Sequence, residues 1–443
     1  MKKYSACCIA LAFLCLAAGA AEKHPFNGDD WTALRSAQPI AVSPDGRTVL
    51  YRVGHGVLKG PTKEEWRLIA TDGTNPRELK LPEHFSPLGF TRDGSGLYGT
   101  FEQNKKKQLA LISLAAPDAK PALLTSIPSG IGTAAISPDG KRFAVVANPR
   151  PLDDLAEVHT VVENELSSLY VVNADATGGA WWCPSLTQLA GMAWAQDGSS
   201  VAIVSQTPMI GYHYVHSSID VCSASGPRHI ADIANSAASE IATGSGGIAW
   251  TNGGKDLAFL STMSNTLTPD HVWTVSTDGG TPADWTPQLQ GSATGLFGDA
   301  HGRVWVEVAR GVRGEVDSFE GGALKTAYQW PGGIVAATPI SSEIGSGADT
   351  LAFAVADPEH ATNVAIAAGG ALKKITHEGD DQLAGVALGP VQVVHWTSKE
   401  EIPLEGIATF PAGYVAGKKY PFLVLPHGGP ESNDRLNFDA FSR

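Results

Sequence analysis

One short pattern returns seven times along this chain, and it constrains the fold more than any other feature. It reads IAVSPDGRTVLYRV at 40–53, LGFTRDGSGLYGTF at 88–101, AAISPDGKRFAVVA at 134–147 and MAWAQDGSSVAIVS at 192–205. IAWTNGGKDLAFLS at 248–261 keeps the template, GLFGDAHGRVWVEV at 295–308 degrades it, and SGADTLAFAVA at 346–356 degrades it further. Each copy is a short strand, a tight turn and a longer alternating strand. The Asp-Gly pairs (Asp45-Gly46, Asp93-Gly94, Asp139-Gly140, Asp197-Gly198) supply the turn. Glycine adopts positive φ without a steric cost, and aspartate accepts hydrogen bonds from nearby backbone.

The turns are 48, 46, 58, 56, 48 and 46 residues apart. Between them lie further strand–turn–strand pieces, among them WRLIATDGTNPRELKL at 66–81 and VWTVSTDGGTPADW at 272–285. A period therefore holds about four strands, the content of one propeller blade. The chain is expected to be all-β, a propeller of seven blades over 40–390, with an eighth possible from strands around 363–395. No long amphipathic helical pattern interrupts this range. The 49 Gly and 28 Pro among 443 residues suit a turn-rich β protein.

Composition excludes other classes. With 43% hydrophobic and 17% charged residues the chain is not disordered. A formal charge of −13 argues against sequence-independent nucleic-acid binding, which needs a basic face. The opening MKKYSACCIALAFLCLAAGA (1–20) has a basic start, a short apolar stretch and an Ala18-Gly19-Ala20 cleavage pattern. It reads as a cleavable signal peptide, too short for a stable membrane anchor, and it implies a periplasmic or secreted protein. Loss of Lys2 and Lys3 takes the formal charge from −13 to −15. Cys183 and Cys222 then remain. A disulfide and two separate buried thiols are both open for them. No Cys/His spacing resembles a zinc site, and no metal or cofactor is expected.

Three eye-catching groups read as structural. His213 and His216 are three apart, so in a strand they face opposite ways. Trp181-Trp182 reads as packing on an outer strand. Lys105-Lys106-Lys107 reads as a solvated hairpin tip.

The texture changes near Pro390. VQVVHWTS (391–398) and LEGIATFP (404–411) read as two strands, and FLVLP (422–426) as a buried central strand. That run ends in His427-Gly428-Gly429-Pro430. A strand followed by HGGP, after PLEGIATFPAGY and YPFLVLPHGGPES, resembles the opening of the catalytic domain in the prolyl oligopeptidase family of serine peptidases. The acylaminoacyl peptidase and dipeptidyl aminopeptidase branch is the most similar. The blade copies resemble TolB-like repeats, and the 26–37 segment FNGDDWTALRSA stands where that family leads into its propeller.

The resemblance implies a signal peptide at 1–20, a lead-in at 21–39, the propeller at 40–390 and the incomplete start of an α/β-hydrolase domain at 391–443. It implies that His427, Gly428, Gly429 and Pro430 form the oxyanion loop. Acyl transfer puts negative charge on a carbonyl oxygen, and backbone N–H donors on a glycine loop can reach it. It also implies peptide substrates, an acyl-enzyme and a propeller that gates access.

No G-x-S-x-G occurs in the chain, and thirteen residues follow Pro430. The nucleophile, acid and base are therefore expected in a missing C-terminal hydrolase domain, and this chain alone is expected to be inactive. Residues 400–443, lacking that domain, are expected to be poorly supported. The alternative is a non-catalytic TolB-like module that binds proteins. A propeller lactonase with an axial calcium ion is a further alternative, with no acidic cluster to compel it.

Overall fold

The computed structural model describes residues 23–55, 64–149, 167–206, 217–233, 247–262, 269–299, 301–320, 323–337, 350–368, 371–428 and 433–442. The signal segment, His213 with His216, and Gly429 with Pro430 lie outside the described residues.

Seven consecutive blades form; the first six repeat copies each supply the first two strands of one, and the seventh supplies the second strand of blade 7. Blade 1 is Arg35–Val42, Thr48–His55, Glu64–Ala70 and Arg77–Glu78; blade 2 is Phe85–Phe90, Gly96–Gln103, Lys106–Ser113 and Ala122–Leu123. Blade 3 begins Ile131–Ile136, Arg142–Ala147 and Ser167–Asn173. Its outer strand, Ala180–Trp194, runs on without a break to become the first strand of blade 4. Blade 4 continues with Ser200–Gln206, Ser217–Ser223 and Gly226–Ile233. Blade 5 is Ile248–Thr251, Asp256–Thr262, Asp270–Ser276 and Ala283–Asp284, and blade 6 is Ser292–Gly298, Val304–Arg310, Arg313–Glu320 and Ala323–Gln329. Blade 7 is Ile334–Ala337, Leu351–Asp357, His360–Ala368 and Ala371–Lys374. All strand pairing within blades is antiparallel.

There is no eighth blade among the described residues. Residues 360–374 complete blade 7, and Val391–Thr397 pairs only with Pro403–Thr409 in a separate two-stranded sheet. The flanking strands that suggested another blade are thus divided between these two uses. The propeller also starts five residues earlier than the repeat does, because Arg35 pairs with His55 across blade 1.

The repeat turn is a small hydrogen-bonded device. In blade 1 the Ser43 hydroxyl donates to Asp45 (2.5 Å) and accepts from the Thr48 N–H (2.9 Å). Asp45 also accepts from the Arg47 N–H at 3.1 Å, and Gly46 sits at φ 71°. Blade 3 repeats it with Ser137, Asp139 and Gly140, and blade 2 substitutes Thr91 for the serine. The hydrogen bond from Ser43 holds the Asp45 carboxyl below its ordinary value. These turns are structural.

Alternating apolar residues of the second and third strands pack between neighbouring blades. Ala37, Val49, Tyr51 and Val53 of blade 1 share one core with Phe353, Val355, Val364 and Ile366 of blade 7. Indole N–H groups tie other blades together: Trp194 donates to Ala135 O (3.1 Å) and Trp250 to Ala193 O (2.9 Å). Trp182 lies in the core between blades 3 and 4, edge-on to Trp194, so the tryptophan pair packs as expected. Lys105 is at a hairpin tip, between Gly96–Gln103 and Lys106–Ser113, at φ 60°. Cys183 and Cys222 form a disulfide, Cα–Cα 5.7 Å, that joins the outer strand of blade 3 to the third strand of blade 4.

Candidate functional site

Antiparallel alternation gives the propeller two faces. The Ser-Pro-Asp-Gly turns and the turns between third and fourth strands lie on one. The turns between second and third strands, and the connections between blades, lie on the other. Chain segments outside the blades collect on this second face. His24–Pro25 pairs in parallel with Val386–Ala387. Between them stand two short helices, α1 (Gly28–Ala33), capped by Asn27, and α2 (Asp380–Ala384).

The hairpin Val391–Thr397/Pro403–Thr409 is fastened to the blade 6 turn at Gly311-Val312. Glu405 accepts from the Val312 N–H at 2.6 Å, and a side chain at Gly311 would collide with it. The tail returns to the same turn: Asn433 donates to Gly311 O (2.8 Å) and Leu436 N–H to Val312 O (2.8 Å). Phe438 meets Phe26 edge to face, 5.7 Å between centroids. The chain before His427 and the chain from Asn433 are therefore both fastened on the second face, near blades 6 and 7.

His427 and Gly428 are exposed. The His427 ring nitrogen lies 3.1 Å from Gly428 O, and nothing approaches within 4 Å of where a Cβ of Gly428 would stand. The expected central strand at 422–426 is absent: these residues pair with no strand, and Phe422 is 86% and Leu423 76% exposed. A run apolar on both faces needs strands on either side and layers above and below; none of the described residues supplies them. Of the four loop residues, the structure places His427 and Gly428 side by side in solvent. Among the described residues it brings no charged partner to either.

Two charge clusters on this face escaped sequence reading. In blade 6, Arg310 reaches Glu315 and Asp317 (2.5 Å to the latter), and Gln329 donates to Glu315 at 2.6 Å. Burial pushes the Asp317 carboxyl up although Arg310 pulls it down. At the joint between blades 7 and 1, Arg35, Glu65, Arg67 and His55 of blade 1 surround Glu378 and one another. Arg67 and Glu378 are 311 residues apart, so no local pattern announces the pair.

No protein-family model matches the chain, and no curated protein matches it by sequence. Solved structures do. An acylaminoacyl peptidase bound to Z-Gly-Gly-Phe-chloromethyl ketone superposes with a TM-score of 0.71 at 12% identity, over 94% of this chain and 64% of its own. The chain has the architecture of the propeller part of such peptidases. A puromycin-hydrolysing peptidase of Mycobacterium tuberculosis gives 0.63 at 14% identity, over 94% of this chain and 66% of its own. The propeller domain of the Pyrococcus furiosus Trilobed protease, described as having an open velcro topology, gives 0.56 at 9% over 78% of this chain and 99% of its own. The chain spans just under two thirds of the length of the two whole peptidases it matches.

Proposed function

We propose that this chain is the propeller and the first part of the catalytic domain of a serine peptidase of the prolyl oligopeptidase family, acting in the periplasm or outside the cell. The observation that carries the reading is exposed His427-Gly428, which follows the 391–409 hairpin and precedes the 433–438 tail, both fastened to the second face of a seven-blade propeller. In this reading the backbone N–H groups around Gly428 and Gly429 receive the developing oxyanion when a serine attacks a peptide carbonyl. Losing one such donor costs ~2.7–4 kcal/mol of barrier. The serine, its histidine base and the acid that orients the base come from sequence beyond Arg443. The propeller covers that site and limits it to short or unfolded peptides. The Cys183–Cys222 disulfide and the signal-like opening support an oxidising compartment.

The encoding DNA downstream of codon 443 tests this. An in-frame extension of roughly 200 residues carrying G-x-S-x-G is expected, with its serine labelled by a fluorophosphonate in the extended protein. A stop codon at that point would sink the peptidase reading and leave a binding module.

A further inference from the structure

The joint between blade 7 and blade 1 is built differently from the joints of blades 2 through 5. Blades 3 and 4 share the unbroken strand Ala180–Trp194 and a disulfide. Blades 2 through 5 are tied by side-chain donors on backbone carbonyls: Arg92 to Ser137 O (3.2 Å), Arg142 to Gly198 O (2.5 Å), Trp194 to Ala135 O and Trp250 to Ala193 O. A carbonyl acceptor does not titrate. Blades 7 and 1 exchange no strand: all four strands of blade 1 come from 35–78 and all four of blade 7 from 334–374.

Among the described residues, the shared apolar core and a Lys373 Nζ donor on Asp72 O (2.8 Å) cross this joint, and so does one carboxylate. Glu378 takes Arg35 Nε at 2.9 Å and Arg67 Nη1 at 2.8 Å. Its backbone is fixed to blade 7 by Asn363, which is fully buried: the Glu378 N–H donates to Asn363 Oδ1 (2.8 Å), and Asn363 Nδ2 donates back to Glu378 O (2.9 Å). Thr376 completes the anchor by donating to Asn363 Oδ1 at 2.8 Å. On blade 1, Glu65 bridges the same two arginines at 2.9 and 2.7 Å and meets His55 at 3.1 Å.

We propose that Glu378 is an ionic latch that closes the propeller ring between blades 7 and 1 in place of strand exchange, making this joint the one that loosens in high salt. The groups facing Glu378 from blade 1 are Arg35, Tyr51, His55, Glu65 and Arg67. On its own segment, Lys374 and His377 are taken up by Asp380 at 3.5 and 3.1 Å. Two arginines thus meet two carboxylates in a partly buried seam.

Within blade 1, the acid dependence of the Glu65 cluster has a definite sign. Burial alone would raise the Glu65 carboxyl; hydrogen bonds from His55 and Arg67, with the charges of Arg35 and Arg67, outweigh it and hold it at about 2 against an ordinary 4.5. A group lowered on folding stabilises the fold above its unfolded value. That contribution drains away as pH falls from 4.5 towards about 2.

Hydrogen exchange of the 443-residue chain, read by mass spectrometry, tests the latch. Glu378→Gln is expected to speed exchange of peptides covering 35–55 and 351–378 by about tenfold while 180–206 stays within about twofold. Wild type in ~1 M salt against ~0.05 M salt is expected to show the same selectivity, since salt screens partly exposed pairs. Seam peptides that exchange as in low-salt wild type, or a rise shared equally by 180–206, would overturn the proposal. The wild-type arms decide it even if the variant does not fold.

Discussion

Gly140 shows how much a single repeat residue carries. It ends the Ser137-Pro138-Asp139 turn at φ 72°, and a Cβ there would stand 2.8 Å from the Arg92 side chain. Arg92 is the residue that donates to Ser137 O across the joint between blades 2 and 3. Gly140→Ala therefore forces a left-handed backbone on an L-residue, costing ~1–2 kcal/mol, and displaces an inter-blade donor worth ~0.5–1.5 kcal/mol. A loss of roughly 2–3 kcal/mol in urea unfolding is expected. A change near zero would mean that the turn relaxes and that Arg92 does not depend on it. Gly226, also at positive φ but with open space around it, is the control, and should lose only the backbone part.

The blades are the level at which sequence speaks most clearly. Every Asp-Gly copy falls between the first two strands of a blade, because a two-strand unit with a glycine turn has one way to fold. What stayed hidden are features with no local signature. Thr125, Thr286 and Thr376 each accept a third-strand N–H (Leu109, Val272 and Val364, at 2.9, 2.9 and 2.8 Å) near the end of their blades. Yet their sequence surroundings differ. The shared strand Ala180–Trp194 hides the border of blades 3 and 4. FLVLP read as a central strand because apolarity reports what a segment needs, not whether partners are present. The Cys183–Cys222 pairing was open for the same reason: strand register alone brings those Cα atoms to 5.7 Å. This bridge closes a separation of 39 residues, for which chain entropy gives about 3–4 kcal/mol. Cys183→Ala with Cys222→Ala should lower stability by about that amount, as should a reductant on the wild type, both read by urea unfolding. Equal stability with and without reductant would remove the bridge from the account.

At the scale of the whole molecule, the chain divides into a ring that buries its apolar surface and a projection that does not. Phe422, Leu423, Val424 and Leu425 are all more than half exposed, and the hairpin beside them shows Trp396, Ile402 and Leu404 to solvent. Burying each such side chain is worth ~1.5–3 kcal/mol, enough in sum to drive association once the cost of immobilising two molecules is met. An unpaired apolar segment beside a two-stranded sheet with open edges is also a template for strand addition. The chain's charge of −13 opposes this only weakly at physiological salt, where screening acts over about 8 Å. The 443-residue chain is therefore expected to self-associate through 422–425 in the micromolar range, as seen by sedimentation velocity. Phe422→Lys with Val424→Lys should return it to monomer while shifting urea unfolding of the propeller by less than about 0.5 kcal/mol, because neither side chain touches the blade cores. A wild-type chain that stays monomeric at such concentrations would show that this strip is covered in solution. An oligomer unchanged by the two lysines would place the association on the blades instead.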